Sequence, residues 1–153
     1  TLLDPEILAL LDDEDRDLVE GEARFLRGWT YFELTRLFGL PYEAGTANTQ
    51  PAVPLVLTPT GDVADAVSVP RNTVQECYAQ VLDDITAARD LLPEDNGVYA
   101  SSLAARAILA RVYLQMGNYA GAAEHRELRI ERQPRHPGVG GHRHGDLQAH
   151  QCR

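Results

Sequence analysis

The sequence predicts an all-α fold in which helices pack as antiparallel pairs. Three observations lead to it. Apolar residues recur at spacings of three and four through most of residues 1–124. Helix-opening caps stand ahead of several of these runs. The prolines that would interrupt helices gather in one stretch, residues 40–70, as Pro41, Pro51, Pro54, Pro59 and Pro70. At 153 residues and 16.9 kDa the chain is long enough for one domain that withdraws roughly two thirds of its unfolded surface from water.

Asp4-Pro5 pairs an N-cap with a proline suited to the first helical position, and Ile7, Leu8, Leu10 and Leu11 give the short helix behind it an apolar face. The acids Asp12 to Asp15 and Asp17 then suit the positive end of a second helix, expected over about Asp15 to Phe38. Its stripe of Leu18, Phe25, Trp29 and Phe32 is widened by Val19, Leu26, Leu34, Leu37 and Phe38. That is more than one packing partner covers, so the helix should be covered on two sides, with Trp29 and Phe32 in the core. Gly39 is placed as a left-handed C-cap, and Pro41 blocks continuation.

Residues 40–70 cannot be helical and form a long ordered excursion, the best candidate in the chain for contact with a ligand or partner. Thr73-Val74-Gln75-Glu76 is a capping box. It opens a third helix whose stripe is Val74, Cys77, Tyr78, Val81, Leu82, Ile85, Ala88 and Leu92, ended by Pro93 and Glu94-Asp95-Asn96-Gly97. Cys77, on that stripe, reads as a small buried residue and not as a nucleophile. A fourth helix starts after Ser101 or Ser102 and reaches Met116, and Gly117-Asn118 turns into a fifth from Tyr119. So short a joint makes the two antiparallel, with Ala104, Ala107, Ala110, Ala120, Ala122 and Ala123 allowing close approach.

Ala110, Tyr113, Gly117, Tyr119 and Ala122 follow the spacing of a tetratricopeptide-type hairpin. Arg126 and Arg129 stand where that pattern wants a large apolar and a small residue, so it breaks just after Glu124. A wider succession carries a more specific likeness. Glu22-Ala23-Arg24-Phe25-Leu26-Arg27 is followed by Tyr31-Phe32-Glu33-Leu34, Leu37-Phe38-Gly39 and Val53-Pro54-Leu55. Pro70-Arg71-Asn72-Thr73-Val74, Tyr78, Asp83-Asp84 and Leu91-Leu92-Pro93 come next, then Ala104 to Ala107, Leu109 to Leu114 and Gly117-Asn118-Tyr119. In this order and spacing the chain resembles the SusD/RagB-like outer-membrane nutrient-binding lipoproteins over residues 20–124.

The resemblance implies a surface-exposed lipoprotein that is not an enzyme, captures oligosaccharide or another nutrient, and passes it to a TonB-dependent, SusC-like transporter. It implies a partial domain over residues 1–124, lacking the lipidated cysteine and most of the binding surface. Ligand contacts vary within the family and transfer to no position here. The runner-up is a soluble tetratricopeptide-like adaptor that takes a partner peptide in its concave groove.

Composition narrows the remaining choices. Acids number 23 against 14 basic residues, a net charge of -9, which disfavours nucleic acid and anionic membrane surfaces. All the basic residues are Arg, so every lysine-based mechanism is excluded. The absence of lysine fits GC-rich coding better than a salt-adapted surface. Only Cys77 and Cys152 are present, so there is no disulfide framework and no CxxC site. The chain opens at Thr1 with no signal-peptide pattern and no apolar run of membrane-spanning length, which reads as a removed targeting segment or an internal fragment.

Residues 1–124 hold 20 acids and 8 Arg, and residues 125–153 hold 3 acids and 6 Arg. All five His lie in that second part, which is expected to be disordered or read out of frame. A metal site built from His136, His142, His144, His150 and Cys152 matches no common spacing and ranks last. Within 1–124, Asp12-Asp13 and Asp83-Asp84 read as solvated helix faces and not as acid/base pairs, since neighbouring helical residues diverge and no His accompanies them. No catalytic, cofactor-binding or metal-binding residue is assigned. Arg24 and Arg27 are expected to pair with Glu20, Asp17 or Glu22, and Tyr113 and Tyr119 to pack the hairpin. Tyr42 and Tyr99, flanked by turn residues, are the aromatics most open to a sugar ring.

Overall fold

The computed structural model describes residues 3–58 and 69–126. Five helices follow in order: α1 Pro5–Leu8, α2 Asp13–Phe38, α3 Val74–Leu91, α4 Ser102–Gln115 and α5 Tyr119–Arg126. Among the described residues the only strand-like pairing is an isolated bridge between Pro51 and Thr73, and the all-α class stands.

Each helix begins where a side chain satisfies its first amides. The Asp4 carboxylate accepts from the Glu6 amide at 3.0 Å. Asp12 accepts from Asp15 at 2.9 Å, which starts α2 at Asp13, earlier than periodicity suggested. Thr73 and Glu76 close the capping box ahead of α3, and Ser101 accepts from Ala104 ahead of α4 at 3.2 Å. The first helix is the weak case. Its single turn leaves Ile7 and Leu10 exposed and Leu8 and Leu11 half-buried, so only part of the face expected there is covered among the described residues.

α2 and α3 form the main pair. Gly21 and Gly28, two turns apart, face α3 so closely that a Cβ at Gly28 would lie 2.9 Å from Ile85 and 3.0 Å from Asp84. Around this contact Phe25, Phe32, Tyr78, Val81, Ile85 and Leu109 are buried. The Phe32 and Tyr78 rings meet edge to face at 6.1 Å. Cys77 is fully buried, as its stripe implied. α2 is nevertheless not covered all round: Leu26, Leu37 and Phe38 are exposed, and Trp29 keeps 41% of its surface. The placement of Trp29 in the core is therefore corrected. α3 and the loop fill one side of α2, α4 reaches it at Arg111 beside Phe32 and Glu33, and no described element closes over Leu26, Leu37 and Phe38.

Gly39 is extended, φ -93° and ψ 170°, and not left-handed. Its role is space, because a Cβ there would sit 2.7 Å from the Thr35 carbonyl oxygen. Gly117 does adopt the left-handed region, φ +72°. There the Asn118 amide reaches back to the Tyr113 carbonyl at 2.9 Å and Gly117 to Leu114 at 3.1 Å, closing α4 and reversing the chain into α5.

The ends of the excursion between α2 and α3 are tied by main-chain pairing. Ala52 donates to Asn72 at 2.7 Å, Asn72 to Val53 at 3.1 Å, and Val74 to Gln50 at 2.9 Å. Tyr31 clamps Val56 in both directions, its hydroxyl accepting from the amide at 2.8 Å and donating to the carbonyl at 3.2 Å. Arg71 donates to the Phe38 carbonyl at 2.8 Å and also to that of Ala52. Ala52 and Val53 thereby enter the core. The central residues 59–68 lie outside the described residues.

At the other end, α5 runs through His125 to Arg126. His125 is 8% exposed and stacks on Tyr113, with ring centroids 5.4 Å apart and planes within 2°. The first residue of the expected tail thus belongs to the helical body. Residues 127–153, and with them the metal reading, fall outside the described residues.

Candidate functional site

Three places gather chemistry-bearing side chains, and the first is a charge cluster between α2 and α3. Asp84, expected on a solvated face, is completely buried. Arg27 grips it with both arms of its fork, Nε to Oδ2 at 2.8 Å and Nη2 to Oδ1 at 2.7 Å. Arg24 adds Nη1 to Oδ1 at 3.4 Å while its Nε donates to Glu20 at 2.7 Å. Arg24 therefore pairs as expected and Arg27 does not. The hydrogen bonds and charge of Asp84 favour the protonated Arg27 guanidinium more than burial disfavours it. A carboxylate enclosed by two guanidinia positions helices and has no free lone pair turned to a reactant. The signal was present in the sequence, since Asp84 sits with Val81, Ile85 and Ala88 on the apolar period of α3. Asp83, one residue back, is exposed. Asp12 caps α2, and Asp13 extends into solvent beside Arg16.

The second place is a groove of about 400 Å³ lined by Glu22, Phe25, Leu26 and Trp29 of α2, Val98 and Tyr99 of the turn after α3, and Ala104 of α4. The turn is shaped by Gly97 at φ +60°. It is held by the Asn96 amide, which donates to Glu22 at 2.9 Å and to the Ala100 carbonyl at 2.8 Å. Tyr99 is exposed, as expected, and shares this groove with Trp29. The apolar lining continues along α2 past Thr30 and Glu33 to Leu37.

Tyrosines provide the third. Tyr42 is not open: its ring tilts against Tyr78 with centroids 4.8 Å apart, and its hydroxyl reaches Gln75 at 3.4 Å. Burial pushes the Tyr78 phenol up to about 12, which keeps it neutral. Tyr119, expected to pack the hairpin, is 72% exposed. Tyr113 does pack there, against Gly121 and His125. Among the described residues no group of His, Cys, Asp and Glu is placed to hold a metal ion. No helix among them is long and apolar enough to cross a membrane.

What the geometry defines is a helical scaffold with a strapped loop and an open apolar groove. Residues 6–114 match the SusD-like family model described as starch-binding and associating with the outer membrane, and the chain belongs to that family. It is 29% identical over 127 residues to SusD-like protein P2 of Formosa agariphila, covering 81% of this chain and 23% of that one. Among solved structures, a SusD superfamily protein from Bacteroides thetaiotaomicron is 36% identical, with a TM-score of 0.65 over 74% of this chain and 24% of its own. A protein assigned to sugar binding from Bacteroides vulgatus is 34% identical, with a TM-score of 0.67 over 75% of this chain and 26% of its own. The chain thus spans about a quarter of the length of these relatives.

Proposed function

We propose that the polypeptide carrying these residues captures glycans at the outer-membrane surface by binding alone, and passes them to a TonB-dependent transporter. The observation that carries this reading is the family match over residues 6–114. It includes α2, α3, nearly all of α4 and the tied ends of the loop, and the structural likeness to the two Bacteroides proteins supports the same frame. The relative assigned to sugar binding, at 34% identity, supports the ligand class. The only strongly paired carboxylate in the described core is locked by arginines, which supports a role without catalysis. In this reading the present residues supply the frame on which a binding surface is mounted.

Native electrophoresis through gels containing soluble starch or other soluble glycans tests the ligand, with reducing ends counted in parallel. Retardation by at least one glycan, without release of reducing ends, is the expected result. Retardation by none, or steady hydrolysis, overturns the reading. Co-purification of a TonB-dependent transporter from detergent-solubilised outer membranes tests the hand-over separately. Capture of soluble peptides with no glycan retardation would point instead to the adaptor.

A further inference from the structure

We infer that the Asn96–Gly97 turn between α3 and α4 is a deamidation site that Glu22 of α2 holds closed, and that conversion of Asn96 to aspartate or isoaspartate keeps the turn open thereafter. The inference concerns a modification of the chain itself and is independent of which ligand, if any, the protein captures.

The asparagines of the chain are Asn48, Asn72, Asn96 and Asn118, and only Asn96 precedes a glycine. That pairing carries the chemistry, because a following residue without a Cβ lets the main-chain nitrogen approach the carboxamide. The Gly97 nitrogen, once it has given its proton to solvent hydroxide, attacks Cγ of Asn96. A bond forms between Cγ and that nitrogen, the bond from Cγ to Nδ2 breaks, and Nδ2 leaves as ammonia with a proton taken from water. Water then opens the succinimide at Cγ to give aspartate, or at the main-chain carbonyl carbon to give isoaspartate. No electrons are exchanged, and water is the sole co-reactant. Gly97 is exposed, and a Cβ built on it would meet no atom within 4 Å, so solvent reaches the reacting atoms.

The fold holds both reacting groups away from this course. Nδ2 of Asn96 donates to Oε1 of Glu22 at 2.9 Å and to the Ala100 carbonyl at 2.8 Å, so the carboxamide does not swing toward the Gly97 nitrogen while the turn rests on α2. The Gly97 N–H donates to the Asp95 carboxylate at 3.0 Å, and negative charge there disfavours the nitrogen anion that attack requires. The Tyr99 amide closes on the Asn96 carbonyl at 3.1 Å. Of these partners only Glu22 stands outside the turn, 74 residues away in sequence, and it ties the reactivity of Asn96 to the folding of the chain. A carboxylate at position 96 has no N–H for either acceptor and sets like charge against Glu22. Isoaspartate also adds a methylene to the main chain, which the closure of Tyr99 on residue 96 does not accommodate. The turn, and Tyr99 with it, then moves off α2.

Deamidation is read on the 153-residue chain and on a peptide of residues 90–102 in the same mildly alkaline buffer, by the mass gain of the fragment carrying Asn96 and by labelling with an isoaspartate-specific methyltransferase. The peptide should convert, and the chain should convert at least about tenfold more slowly, since local opening gates the reaction. Glu22→Ala should speed the chain about tenfold, the effect of losing a hydrogen bond to a charged acceptor. Glu22→Gln keeps an acceptor oxygen and should stay within about threefold of the parent. Ile85→Val weakens the core without touching the turn, and it too should leave the rate within about threefold. Asn96→Asp should lower the Tm of the chain by about 3 °C, and by less than about 1 °C when Glu22→Gln is also present.

A peptide that does not convert overturns the inference, as does a chain that converts as fast as the peptide. An unchanged rate in Glu22→Ala overturns it too. Equal acceleration by Glu22→Ala and Ile85→Val assigns the reaction to general unfolding, with the same result. Equal Tm losses for Asn96→Asp with and without Glu22→Gln overturn the release of the turn by like charge. A slow chain, a fast Glu22→Ala variant and a Tm loss that Glu22→Gln relieves uphold the inference.

Discussion

Asp84 shows how much one position decides. It is the carboxylate removed most completely from water, and it is tolerable there only because Arg27 takes both its oxygens. Asp84→Asn should therefore cost about 3 kcal/mol, the low end for a broken buried pair because both arginines remain about a quarter exposed. Asp83→Asn, at a side chain 72% exposed, should stay within about 0.5 kcal/mol. Urea titrations of the two variants check the contrast.

His125 carries a pH dependence of known sign. Burial holds its pKa below 6.5, with Arg89 of α3 and Arg106 of α4 acting the same way and Glu124 opposing. The unfolded chain then binds the proton more readily. Stability should be level above pH 6.5 and fall as pH drops below it, and His125→Phe should flatten that part of a Tm-against-pH curve. Periodicity made the core residues legible, yet adjacent acids look alike in sequence. Which of Asp83 and Asp84 turns inward follows from the apolar period of α3, whereas its partner on α2 depends on packing across two helices.

Helix starts were the most readable feature, because a cap is a local pattern. Thr73 and Glu76 satisfy each other's exposed amides as the sequence requires, and Thr73→Ala should cost about 1 kcal/mol in thermal denaturation. The approach of α2 to α3 was not readable, since a glycine within a helix signals nothing about what lies opposite. Gly28→Ala removes a helix-weakening residue worth about 1 kcal/mol. It also forces a methyl onto Ile85 and the Asp84 Cβ at 2.9 to 3.0 Å. Overpacking by about 1 to 3 kcal/mol should win, giving a net loss of about 1 kcal/mol in place of the usual gain. The loop was legible as non-helical from its prolines, but its tethers join residues far apart in sequence, such as Tyr31 to Val56 and Ala52 to Asn72. No local pattern encodes them. Gly39 was misjudged for a related reason: the crowding that demands glycine comes from Ala52 across the turn as well as from Thr35.

For the whole molecule, the all-α class and the family were both legible, because the motifs follow one another in a fixed order over most of the chain. The surface was less so. The width of the α2 stripe announced a second cover, and the described residues leave that cover out. Trp29 therefore reads as core in sequence and lies on an open groove in the structure.

The arrangement of connections also sets an order of events. α4 and α5 are joined by a three-residue turn and α3 and α4 by residues 92–101, whereas α2 meets α3 only after the chain closes the much longer excursion over residues 39–73. Loop closure must be met before that contact yields anything, and its entropic cost grows with length. The three C-terminal helices should form the nucleus, with α2 arriving late. In stopped-flow refolding, Leu109→Ala in α4 should slow folding, while Phe32→Ala in α2 should chiefly speed unfolding. A polypeptide emerging from the ribosome would then hold its longest helix in reserve until the later helices exist to receive it.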